Sequence, residues 1–169
     1  IMDNQFSLLL AQIYTNYIPT HINNIYFFCE QSCLNNCMFS QLHKLNKNAK
    51  IYLLDSQPVS GYIGFQKVKN ILINDYNVKE DKIIPIPFLY NDEKIINTYT
   101  ESLSVFQYIS SNNITDLLIC APVFHLPRAV ISLVSAIIQN NRSNNHINIS
   151  CIAGQLNNWS DKKYIHSQG

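Results

Sequence analysis

The chain has 169 residues, 47% of them hydrophobic and 14% charged, with a formal net charge of +1. That balance excludes a disordered chain, and no basic stripe of the kind a nucleic-acid binder carries is visible. The length suits one domain with a substantial core, read here as a single unit over 1–169 with an N-terminal helical segment (1–23) and a polar tail (154–169).

Phe6 to Tyr17 places apolar residues at Phe6, Leu9, Leu10, Ile13 and Tyr17, a helical spacing that ends near Pro19. Asn24–Cys29 reads as a first buried strand, rich in aromatic and β-branched side chains. Met38 to Leu45 reads as a helix closed by Asn46-Lys47-Asn48, and Lys50–Asp55 as a second strand. A loop at Gln57-Pro58-Val59-Ser60-Gly61 leads to a helix over Phe65 to Tyr76, with Val68, Ile71 and Leu72 inward. Lys82–Pro87 is a short third strand whose prolines suit an edge. Thr98 to Ile109 is the next helix, where Thr98-Tyr99-Thr100-Glu101 matches the capping-box pattern with Asn97 just ahead. Asp116–Ala121 is a fourth strand, Ala129 to Ile138 a helix, and Ile147–Ala153 a fifth strand.

This alternation predicts an α/β fold: a three-layer, Rossmann-like arrangement with a mostly parallel five-stranded sheet in the order 3-2-1-4-5. The proline-bearing third strand then falls at an edge, and the winding reverses between strands one and four. A pocket is expected at that reversal, between the loop Cys29 to Asn36 and the loop Ala121 to Arg128.

The longest apolar runs, Ser7–Ala11 and Ala129–Ile138, fall short of the roughly 20 residues that span a bilayer. No basic region precedes Leu8-Leu9-Leu10, so a secretory signal is not expected. Membrane association is expected only if a segment upstream of Met2 supplies it. Five cysteines without a CxxC pair suit a reducing, cytoplasmic compartment. Cys29, Cys33 and Cys37 are one residue too widely spaced for a radical iron–sulfur loop, and structural thiols are the favoured reading, with no metal expected. Cys120 and Cys151 fall in buried strands.

The most informative stretch is Ala121-Pro122-Val123-Phe124-His125-Leu126-Pro127-Arg128, where a buried strand meets an apolar helix. Pro127 suits the first helical position, which puts Arg128 in the first turn. There the helix dipole disfavours a cation by roughly 0.3–1 kcal/mol, so an anion is expected nearby. Arg128 would grip a phosphate or carboxylate of a ligand, or pair internally with Glu101 or Asp55. His125 would donate to the same anion or act as a general acid/base, or else bond a backbone carbonyl as a loop histidine. Thr98 and Glu101 read first as the helix cap, and Asn97 as a pocket or turn residue. Glu30, Gln31 and Asp55 sit at strand ends, where they would meet a ligand's ribose or amine. Trp159 and Tyr164 read as packing or a lid rather than a stacking platform.

Two motifs in order resemble the YdcF-like family of bacterial proteins, which includes SanA- and ElyC-type members. Asn97-Thr98-Tyr99-Thr100-Glu101-Ser102 is similar to its Asn-Thr helix start, and Pro122 to Ala129 to its His-hydrophobic-x-Arg-Ala segment. Tyr76 to Ile84 resembles the family's approach to its third strand, and the likeness covers roughly Lys50 to Ala153. Where family members carry Gly-rich and Ser-Gly turns, this chain reads Cys29-Glu30-Gln31-Ser32 and Asp55-Ser56-Gln57-Pro58. The resemblance implies a Rossmann-like domain binding S-adenosylmethionine, a nucleotide or a polyprenyl phosphate. If it is an enzyme, phosphoryl- or methyl-group chemistry is implied, with His125 as acid/base. The alternative is a non-catalytic interaction module of a host-adapted bacterium that keeps the fold, has lost the ligand and binds a protein partner.

Overall fold

A computed structural model of the chain describes residues 21–28, 38–39, 41–42, 45–59, 61–89, 96–140 and 146–154. Strands and helices alternate through them as β1 (Asn24–Phe27), β2 (Lys50–Asp55), α1 (Phe65–Tyr76), β3 (Ile83–Pro87), α2 (Thr98–Ser111), β4 (Asp116–Ala121), α3 (Leu126–Asn140) and β5 (Asn148–Ala153). The five strands form one sheet in the order β3-β2-β1-β4-β5, and every neighbouring pair is parallel. This is the expected α/β, Rossmann-like order. Pro85 and Pro87 lie in β3, at the edge of the sheet, where a residue without an N–H breaks no ladder.

Side chains alternate across the sheet with the two-residue period of a strand. Ile25, Phe27, Ile51, Leu53, Leu118 and Cys120 face the layer that holds Met38, Phe39 and α1, whose Val68 and Leu72 are buried. Tyr26, Tyr52, Leu117, Ile119 and Cys151 face α2 and α3, whose Val105, Ile109, Ala129 and Leu133 are buried. Both faces are covered, which is why the strands are apolar on both sides rather than alternating apolar and polar. The buried Cys120 and Cys151 behave as small apolar residues. Burial, with a secondary push from Cys151, raises the Cys120 thiol well above the usual range. Burial also pushes Cys151 up to about 11.

Element ends differ from expectation by small, explicable amounts. α3 starts at Leu126 rather than Ala129, and Pro127 is its second residue rather than its first. The first turn lacks intrahelical acceptors for its N–H groups anyway, so a proline there costs nothing. Asn77, in the left-handed region at φ 54°, ends α1, and its N–H bonds back to the Leu72 carbonyl. Of the expected helix over Met38 to Leu45, Met38 and Phe39 are helical and the chain bends at Leu45. The expected helix at Phe6 to Tyr17, the three closely spaced cysteines, Trp159 and Tyr164 lie outside the described residues. Among the described residues no helix is long and apolar enough to cross a membrane.

Candidate functional site

The order β3-β2-β1-β4-β5 reverses its winding between β1 and β4. The region beyond the carboxyl ends of two such strands is where parallel sheets generally seat ligands. On the β4 side the chain turns tightly. The Pro122 carbonyl accepts the N–H groups of both His125 and Leu126 (2.9 Å each), and the His125 carbonyl accepts Ala129 N–H at 3.0 Å. This turn drives His125 inward, where it is 4% exposed, and leaves Val123 and Phe124 exposed. On the β1 side Phe28 N–H still reaches the Cys120 carbonyl (2.9 Å), which holds the Phe28 ring 6.1 Å from the His125 ring.

Arg128 is an exposed residue whose guanidinium Nη2 lies 2.7 Å from His125 Nδ1. A guanidinium has donors only, so Nδ1 is the acceptor, and the neutral imidazole carries its proton on Nε2. Nε2 itself is shielded from solvent. The side chain of His125 thus bonds Arg128 through Nδ1, where a backbone carbonyl was one of the expectations. This contact ties the Arg128 side chain to the His125 ring.

The expected cap of α2 is displaced by one residue. The N-cap is Asn97, not Thr98, and its side chain accepts from the backbone N–H groups of Tyr99 (3.0 Å) and Thr100 (2.9 Å). Thr100 closes the box by accepting Asn97 N–H at 3.3 Å. Asn97 leads the N-cap ranking and Thr follows it, so the earlier residue takes the position. Glu101 is therefore not the capping partner. It is 8% exposed and accepts a 2.6 Å hydrogen bond from the hydroxyl of Tyr26 in β1. The Tyr26 ring packs edge-on against Phe28 (centroids 4.8 Å apart). A chain of contacts thus runs from Glu101 through Tyr26 and Phe28 to His125, beneath the reversal point.

Of the residues expected in the site, His125 and Arg128 are in direct contact. Thr98 and Glu101 share the first turn of α2, which Asn97 caps, and the Thr98 carbonyl accepts the Ser102 hydroxyl (2.7 Å). Asp55 is exposed at the end of β2, beside Pro87 and with β1 between it and β4. Two strand spacings, about 10 Å, separate it laterally from the β4 end. Glu30 and Gln31, with the rest of the loop expected to form the other wall, lie outside the described residues. Compared with family models, curated proteins and solved structures, the chain matches none.

Sequence reasoning missed two contributors. Tyr26 carried a usable signal, since a tyrosine inside a buried strand needs a partner for its hydroxyl. Gly64 precedes α1 at φ 88°, and a Cβ there would meet Pro58 Cδ at 2.9 Å. Only glycine fits so close to Pro58. The turn after β2 therefore has its glycines, at Gly61 and Gly64 rather than next to Asp55. Within the same turn the Tyr62 hydroxyl donates to the Leu54 carbonyl (2.7 Å), and Phe65 N–H reaches the Ser56 carbonyl (3.0 Å).

Proposed function

We propose that the chain is a Rossmann-like binding domain for an anionic or nucleotide-like small molecule, seated over the first turn of α3 at the β1/β4 reversal. The supporting observation is the Arg128 guanidinium anchored on the buried His125 ring at that point. A fixed guanidinium loses less side-chain freedom on binding than a mobile one, and its planar fork matches phosphate or carboxylate. The helix N-terminus adds a favourable field for the same charge.

S-adenosylmethionine, nucleotides and polyprenyl phosphates are the candidate ligands, in line with the YdcF-like resemblance in the Asn97 and His125/Arg128 segments. His125 acts as a positioning group, because Nδ1 is engaged by Arg128 and Nε2 is shut off from solvent. That arrangement favours binding over proton transfer in this state of the protein. A reading as a protein-interaction module draws on the exposed Val123 and Phe124 in the turn after β4.

A calorimetry and thermal-shift panel of the three ligand types separates the readings. A charge-assisted contact worth roughly 1.5–3 kcal/mol means that Arg128→Ala weakens binding about 10- to 150-fold. No binding by the unaltered chain, or equal binding by Arg128→Ala, defeats the proposal.

A further inference from the structure

At the opposite end of the sheet, where β1 and β2 begin, lies a concavity of about 650 Å³. Its size falls within the range of small-molecule sites, roughly 300–1,000 Å³. The floor is apolar: Ile25, Phe39, Leu45 and Ile51 are buried there, and the Phe39 ring packs edge-on against Tyr76 (5.5 Å). Among the described residues no charged group stands on that floor. Among the described lining residues the charges are unbalanced, with Lys47, Lys79 and Lys82 against Asp75.

These lysines come from separate parts of the chain: the turn before β2, the link after α1, and the single helical turn Glu80–Lys82. The ion pair among the described residues is Lys69–Glu80 (2.7 Å), so Glu80 is engaged away from its neighbour Lys79. Asn46 is engaged as well: its amide donates to Asn23 Oδ1 (2.6 Å), and its Oδ1 accepts Asn48 N–H (2.9 Å). The groove thus offers shape and apolar surface inside, few directional groups, and a cationic rim. That combination selects a molecule with an apolar body and one anionic end.

We infer that this groove binds a single-chain anionic amphiphile, an aliphatic carboxylate, with its chain on the Ile25/Phe39/Ile51 floor and its carboxylate among Lys47, Lys79 and Lys82. The site is independent of the His125/Arg128 pair, which lies beyond the other ends of the same strands.

Calorimetry on the full chain with dodecanoate, below its micelle concentration, tests it. Dodecanoate binds, and 1-dodecanol binds roughly tenfold or more weakly because the rim attracts charge. The double variant Lys79→Glu/Lys82→Glu loses about as much, and Val78→Trp, which fills the groove, abolishes binding. Circular-dichroism melts matching the parent chain show that each variant is folded, and Arg128→Ala leaves dodecanoate affinity unchanged. Absence of dodecanoate binding, equal affinity for the alcohol, or affinity indifferent to the groove variants overturns the inference.

Discussion

Removing one oxygen, in Tyr26→Phe, tests the buried contact beneath the β1/β4 reversal. The ring is fully buried and packs edge-on against Phe28, so phenylalanine keeps the packing and deletes only the hydroxyl. The lost bond is short, 2.6 Å, and its acceptor Glu101 is 8% exposed. Hydrogen bonds to charged groups are worth roughly 1.5–3 kcal/mol, and the loss of this one is expected to fall in that range. At about 2–4 °C per kcal/mol for a chain of this size, the melting temperature falls by about 3–12 °C. Glu101→Gln retains an oxygen acceptor for Tyr26 but loses the charge, so it costs less than Tyr26→Phe if the hydrogen bond dominates. Urea unfolding followed by far-ultraviolet circular dichroism measures both variants and the double variant. Coupling between the two sites is expected, because residues in direct contact are not additive. A Tyr26→Phe protein as stable as the parent, or strict additivity in the double variant, refutes the reasoning.

Asn97→Ala removes the acceptor for two amides of α2 and lowers stability by about 1 kcal/mol, while Thr98→Ala, outside the cap, costs clearly less; thermal denaturation compares them. The Asp116 carboxyl is held below the usual carboxylate range by hydrogen bonds from Asn148 and then Thr115. A depressed folded value means that its contribution is present above an unfolded pKa of about 3.9 and fades as pH falls through the folded value. Asn148→Ala should therefore flatten the acid limb of stability against pH by less than about 1 kcal/mol, since the carboxylate is largely exposed. Cys120 and Cys151, with thiols raised by burial, stay unmodified by iodoacetamide in the folded chain at neutral pH and react once it is unfolded. Peptide mass spectrometry reads that difference, and ready native labelling at either position would contradict their placement.

Local signals carried the fold. Apolar runs with β-branched residues marked the strands, and Pro85 and Pro87 put β3 at the edge, which fixed the order around β1. The β4-to-α3 junction was legible because a strand, a proline-rich turn and an apolar helix abut within a few residues. The helix cap slipped by one because Asn97 and Thr98 both suit an N-cap, and only backbone geometry at Asn97 separates them. The Tyr26–Glu101 bond joins residues 75 apart, a pairing that no local pattern encodes. Gly64 was legible as a glycine, but its need arose from Pro58 folding back over it. The lysine-rimmed groove escaped notice for the same reason, since its charges meet only through sheet order and the turn after α1.

The most direct measurement is a crystal soaked with pyrophosphate or a candidate nucleotide, read at the first turn of α3. The account predicts density for an anionic group within hydrogen-bonding reach of the Arg128 guanidinium, with His125 Nδ1 still holding that side chain. Density that appears only elsewhere, or a guanidinium swung onto a neighbouring carboxylate with no space beside it, would contradict it.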